Sequence, residues 1–276
     1  MHHSLFNTIW LSIYVLAVRC VFWVLCSPSV TTVLSVRGWY VYINLLYLDS
    51  FFFLLDILLM TFIFLDRNVF VQGVSLAQAR EKGQLVFLEG LKDSIGVLLQ
   101  EDTSHETQPL SYLRSPGAGL EGLFRFVERS MRQSGDGDAG ESWGPPVLLI
   151  DDLSVLLSLG VSVGAILDFT LYCQATMCSE LQGNMVILVR CEEEDADDDD
   201  DEEGSNLLQR GLVHQCNLAL HVEGLPTGYC RDIHGQMEVW WRQRGETIYN
   251  QRKIFHFKVH DKGASFFARG TSSAVL

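Results

Sequence analysis

The sequence predicts an α/β fold: a parallel sheet flanked by helices and finished by a C-terminal antiparallel hairpin. Three observations point to it. Downstream of Gly73, short apolar runs alternate with amphipathic stretches. MVILVRC, Met185 to Cys191, is almost continuously apolar, as a strand buried on both faces of a parallel sheet must be. Near the end, MEVWWRQ and KIFHFKVH alternate apolar with polar on either side of Gly245, the pattern of two paired antiparallel strands.

The first 72 residues have a different texture. Ile9 to Cys26 and Trp39 to Leu65 are apolar runs long enough to span a bilayer, which takes about 20 residues. They read as a transmembrane hairpin, although Arg19, Asp49 and Asp56 interrupt them at a cost in hydrocarbon. Flanking Lys and Arg are too few to set an orientation, and no basic residue precedes the first run as in a signal peptide. The expected division is therefore an atypical hydrophobic segment over 1–72 and one α/β domain over 73–276.

Within that domain, Gln84 to Gly90 (QLVFLEG) predicts a strand. Leu120 to Gln133 predicts a helix, with Leu120, Leu123, Phe124 and Val127 forming one apolar stripe. The Gly-, Asp- and Ser-rich stretch from Ser134 to Pro146 is a linker into the next strand, VLLID. Ser162 is placed to cap a helix reaching about Leu181, with Gly183 just past its end. After MVILVRC comes an acidic loop, 192–204, then a short helix beyond Asn206, a strand from Asn217 to Gly224, and the hairpin.

Composition narrows the class further. The net charge is -14, yet eleven carboxylates lie in one block, Glu192 to Glu203. Removing those eleven from the 34 acidic residues leaves 23 against 20 basic ones, an ordinary balance for a globular domain. Such charge density predicts a solvated loop. The seven cysteines (Cys20, Cys26, Cys173, Cys178, Cys191, Cys216, Cys230) are odd in number, without CxxC or matching His pairs, so reduced thiols are expected and no metal site.

Two adjacent carboxylates, Asp151 and Asp152, end the VLLI run, and Glu89 ends another strand. In a nucleotide hydrolase, Asp151 would position a magnesium ion through water and Glu89 could activate the attacking water. That chemistry needs phosphates held by GxxxxGK[ST], whose glycines bring backbone N–H groups close and whose lysine neutralises charge. No Gly-Lys dipeptide occurs in the chain; Lys82 and Lys262 precede glycine instead. Asp151 and Asp152 are therefore read as degenerate strand-end carboxylates, with Asp152 capping the next helix. No GxSxG elbow accompanies the histidines His214, His221, His234 and His256, so no covalent catalyst is signalled. No catalytic residue, cofactor or metal ligand is expected.

From Arg231 to Arg269, basic residues (Arg231, Arg242, Arg244, Arg252, Lys253, Lys258, Lys262, Arg269) interleave with Trp240, Trp241, Tyr249, Phe255 and Phe257. Such interleaving could bind nucleic acid. A hairpin with aromatics inward and charges outward gives the same pattern, and is the favoured reading.

Four separated segments carry a family resemblance: GVSLAQAREKGQLVFLEGLKDS, PVLLIDDLSVLLSLGVSVGAILDF, GLPTGYCRDIHGQ and the terminal SFFARGTSSAVL. From about Gly73 to Leu276 the chain resembles the sixth subunit of the Elongator complex. The resemblance implies a RecA-like fold lacking ATPase signatures, in a heterohexameric ring with the fourth and fifth subunits. That ring binds transfer RNA and joins the catalytic subunits, which modify the wobble uridine, U34. The reduced thiols predict a cytoplasmic and nuclear location, and a membrane is expected only if the N-terminal segment is genuine. A family member would begin with a soluble first strand, central to the sheet. The hydrophobic 1–72 segment is accordingly expected to stem from a misassigned or alternative first exon, leaving the sheet without that strand. An active nucleoside triphosphatase with an unconventional phosphate site and a two-span membrane protein with a cytosolic α/β domain are the competing readings.

Overall fold

The computed structural model describes residues 31–36, 50–56, 76–90, 97, 109–114, 117, 119–133, 144–190, 201–225, 230–242, 251–260 and 263–270. In chain order these form β1 (Thr31–Val36), β2 (Ser50–Asp56), α1 (Leu76–Glu81), β3 (Leu85–Glu89), α2 (Glu121–Gln133), β4 (Gly144–Asp151) and α3 (Val155–Ser158). Then come α4 (Val163–Gln174), prolonged by a π-helical turn over Ala175–Glu180, β5 (Asn184–Arg190), α5 (Asp201–Gln215) and β6 (Leu218–Glu223). The chain closes with β7 (Gly235–Trp241), β8 (Gln251–His260) and β9 (Gly263–Ala268).

Among the described residues, nine strands belong to one sheet, ordered β3-β2-β4-β5-β1-β6-β7-β8-β9. From β3 to β6 every pairing is parallel; from β6 to β9 every pairing is antiparallel. The parallel half explains the apolar runs, since β4 and β5 at its middle are buried on both sides. In β5, Asn184 to Val189 are all buried.

This topology corrects the division at residue 73. β1 and β2 both lie within 1–72, and β1 is central, with Leu34 opposite Leu188 on one side and Leu220 on the other. The sheet is not split. β2, SFFFLLD, occupies the middle of the run read as a second membrane span. An inner strand of a parallel sheet is as apolar as part of a span, and hydropathy alone does not separate them. Among the described residues no helix is long and apolar enough to cross a membrane; the run Ile9 to Cys26 lies outside them.

One face of the sheet carries α2, α4 and α5. Leu148 and Ile150 of β4, with Met185, Ile187 and Val189 of β5, join one buried cluster with Leu123, Val127 and Met131 of α2, Ile166 and Phe169 of α4, and Leu208 and Leu212 of α5. Burial of each such side chain contributes about 1.5–3 kcal/mol. The stripe predicted for α2 is the face it buries. Ser162 caps α4 as expected, its Oγ accepting from the Ala165 N–H at 3.3 Å. Cys173 is fully buried in the same cluster, and burial pushes its thiol well above the ordinary range.

Gly183 plays a different part from the one expected. The left-handed residue ending the helix is Gln182, with φ of 54°. At Gly183 a Cβ would stand 2.3 Å from the Pro146 carbonyl oxygen, so glycine is needed for the close approach of β4. The acidic block is likewise not all loop, because α5 begins at Asp201. Carboxylates in a first helical turn oppose the positive end of the helix dipole, which favours that start. Finally, the C-terminal hairpin is a three-stranded meander, with β9 paired to β8 from Phe255↔Ala268 to His260↔Gly263.

Candidate functional site

In a parallel α/β sheet the strand C-termini form the edge where chemistry is usually placed. Here β3, β2 and β4 end there side by side, and the register sets Asp56 opposite Glu89 on one side and Asp151 on the other. The two expected strand-end positions, Glu89 and Asp151, therefore flank a third acidic residue. Sequence reasoning missed Asp56, because FFFLLD was absorbed into an apparent membrane run. The signal was present: FFFLLD ends in a carboxylate just as VLLID does.

Asp152 stands apart from that row. The Asp151–Asp152 peptide is cis. Beyond it the Asp152 side chain, 5% exposed, pairs through Oδ2 with the Arg190 guanidinium at the end of β5. Its Oδ1 accepts from the Ser154 N–H at 3.0 Å. Two more bonds tie the same strand ends: Leu153 N–H donates to the Leu188 carbonyl at 3.0 Å, and Arg190 N–H to Ser154 Oγ at 2.9 Å. Asp152 thus clamps β4 to β5 and also accepts from an N–H at the opening of α3, a wider role than the cap expected; Ser154, at the cap position itself, makes no side-chain cap bond. A buried carboxylate is tolerable because it is both paired and hydrogen-bonded.

A row of carboxylates can hold a metal that bridges nucleotide phosphates, provided a phosphate-binding loop delivers the nucleotide. After β1, where such a loop would begin, the sequence reads Arg37-Gly38-Trp39, and Gly-Lys occurs nowhere in the chain. The strand ends keep the carboxylates of a hydrolase without its phosphate-binding sequence.

The basic and aromatic C-terminal residues separate by function once placed. Phe257 is fully buried, and Phe255 meets Phe266 edge to face at 6.3 Å. Arg242 donates to the His214 carbonyl at 2.7 Å and the Val213 carbonyl at 3.2 Å, closing the end of α5. Arg252 pairs with Glu238 and Lys258 with Asp232. The Lys258 hydrogen bond, 2.6 Å long, is the main cause holding the Asp232 carboxyl below the usual carboxylate range. Tyr249, Arg244 and Lys262 lie outside the described residues. Each face mixes the two types, since Trp240 shares one with Glu238 and Arg252 while Phe255 and Phe257 share the other with Lys253, so the expected division into inward aromatics and outward charges does not hold.

The histidines are dispersed as well. His214 is on the exposed end of α5, His221 stands 3.4 Å from Glu223, and the His234 N–H donates to the Phe257 carbonyl at 2.8 Å. His256 packs against Phe267 with ring centroids 6.2 Å apart.

The family model described as "Elongation complex protein 6" matches residues 67–261. The Elongator complex protein 6 of Danio rerio is 83% identical over 204 residues, 74% of each chain. That of Homo sapiens is 50% identical over 207 residues, again 74% of each. Among solved structures, an uncharacterised protein from Pyrococcus horikoshii, crystallised with an unknown peptide, superposes with a TM-score of 0.58 at 11% identity. It covers 88% of this chain and 94% of its own, and the shared fold is RecA-like.

Proposed function

This chain belongs to the Elongator complex protein 6 family, and from that premise we propose that it works as a non-catalytic, RecA-like subunit of Elongator. In this reading it assembles with the fourth and fifth subunits into a heterohexameric ring. The ring holds transfer RNA and supports modification of the wobble uridine, U34, by the catalytic subunits. Its place of work is the cytoplasm and nucleus.

The observation that carries the reading is the 83% identity to the zebrafish Elongator subunit over 204 residues. The site is consistent with it: strand-end carboxylates without a Gly-Lys loop suit a chain that keeps the fold of a nucleotide hydrolase for assembly. Co-expression of the full chain with the fourth and fifth subunits is the test. A single complex containing all three on gel filtration is expected; the chain eluting apart from both would refute the proposal. Nucleoside triphosphate hydrolysis by the isolated chain, abolished by Asp151→Asn, would favour the enzyme reading instead.

A further inference from the structure

The helix-side face of the C-terminal meander lines an open cavity of about 570 Å³, within the usual range for small organic ligands. Alternate residues of β7 and β8 reach it, among them Glu238 and Trp240, and Arg252, Ile254 and His256. Arg269, just past β9, stands at its side.

Two groups there retain bonding capacity. Arg252 directs both of its bonds to Glu238 Oε1, one of them from Nε at 2.7 Å, which leaves Oε2 as an acceptor. Arg269 is exposed and, among the described residues, makes no ion pair. Their placement follows from register. Glu238 is opposite Ile254, and Phe255 is opposite Ala268, one residue before Arg269. Acceptor, aliphatic wall and guanidinium thus lie in a line across three strands, about 10 Å from end to end at ordinary strand spacing.

We propose that this face binds one nucleotide, its base donating an N–H to Glu238 Oε2 and its phosphate resting on Arg269. The flat body between them lies over Ile254 beside Trp240. Simpler ligands satisfy less of the site. Phosphate alone would leave the Glu238 acceptor facing an anion, and a bare cation at Glu238 would meet the Arg252 charge. A base N–H is a neutral donor and avoids both conflicts. A free nucleotide and one unit of a single RNA strand offer the same chemistry. The site is read from this chain alone and does not depend on ring membership.

Calorimetric titration of the full chain with GMP, guanosine, inorganic phosphate and a short guanosine-containing single-stranded RNA tests this. Saturable GMP binding is expected, at least about tenfold tighter than guanosine or phosphate, and about tenfold weaker in Arg269→Ala. Glu238→Gln should weaken GMP and guanosine alike. Should its melting curve show that Glu238→Gln does not fold, Arg269→Ala, altered at an exposed position outside the strands, decides alone. RNA binding tighter than GMP assigns the site to a strand, the reverse to a free nucleotide, and both support it. No saturable binding of either, phosphate binding as tight as GMP, or equal affinity in Arg269→Ala overturns it.

Discussion

The two halves of the sheet handle polar residues in opposite ways. From β3 to β6 the strands are parallel, with β4 and β5 buried on both faces, and carboxylates gather at the strand ends: Glu89, Asp56, Asp151 and the Asp152–Arg190 pair. From β6 to β9 the strands are antiparallel, and polar groups spread along one face, as with Glu238, Arg252 and His256. A salt bridge in the first half joins two strand ends around a carboxylate that is 5% exposed. In the second, the arginine of the Arg252–Glu238 pair is 65% exposed. Similar ion pairs are therefore expected to differ in worth: one sets strand ends in place, the other decorates a surface.

The largest expected effect probes the parallel half directly. Leu149 of β4 is buried, and Leu149→Asp places an unpaired charge there. A loss of about 3–5 kcal/mol is expected, a large share of a domain's stability, read as collapse of the cooperative melt by circular dichroism. A variant that melts like the parent would show that β4 is not buried on both faces.

Next comes Arg190→Ala, which leaves Asp152 buried without its partner. A loss of about 2–3 kcal/mol is expected, below the range for fully buried pairs because Arg190 is 31% exposed. The corresponding change in the meander, Arg252→Ala, should cost less than about 1 kcal/mol. Urea titration of both measures the contrast, and equal losses would erase it.

The smallest effect is a pH dependence. Asp232 has its carboxyl lowered, chiefly by the Lys258 hydrogen bond. A carboxyl lowered in the folded state contributes stability above its unfolded pKa, and the contribution disappears as pH falls through the folded value. Asp232→Asn should thus be slightly less stable than the parent at neutral pH and equal to it in strong acid. A gap that persists unchanged into acid would assign the difference to something other than ionisation.

Much of this fold was legible because patterns agreed with physical roles. Within MVILVRC, Met185 to Arg190 form a strand whose residues through Val189 are buried, Glu121–Gln133 is a helix with the stripe it buries, and Ser162 is a cap. The family resemblance, resting on four ordered segments, led to the same fold. What failed did so for identifiable reasons. TTVLSV, with two threonines and a serine, gave no sign of being the central strand, because its place comes from pairing with β5 and β6, far away in sequence. Asp56 was hidden by the hydropathy of its own strand. Asp152 read as a cap, since its partner Arg190 is 38 residues away. The polar cavity was illegible for the same reason: its groups converge only through the registers of β7, β8 and β9.

The central claim is that this subunit acts through assembly, with its strand-end carboxylates serving no catalysis. The direct measurement is the level of modified wobble uridine in transfer RNA from cells whose own copy is replaced by this chain carrying Asp151→Asn. Modification equal to that given by the unaltered chain is the expected result. A loss of modification while the variant still assembles with its partner subunits would contradict the account.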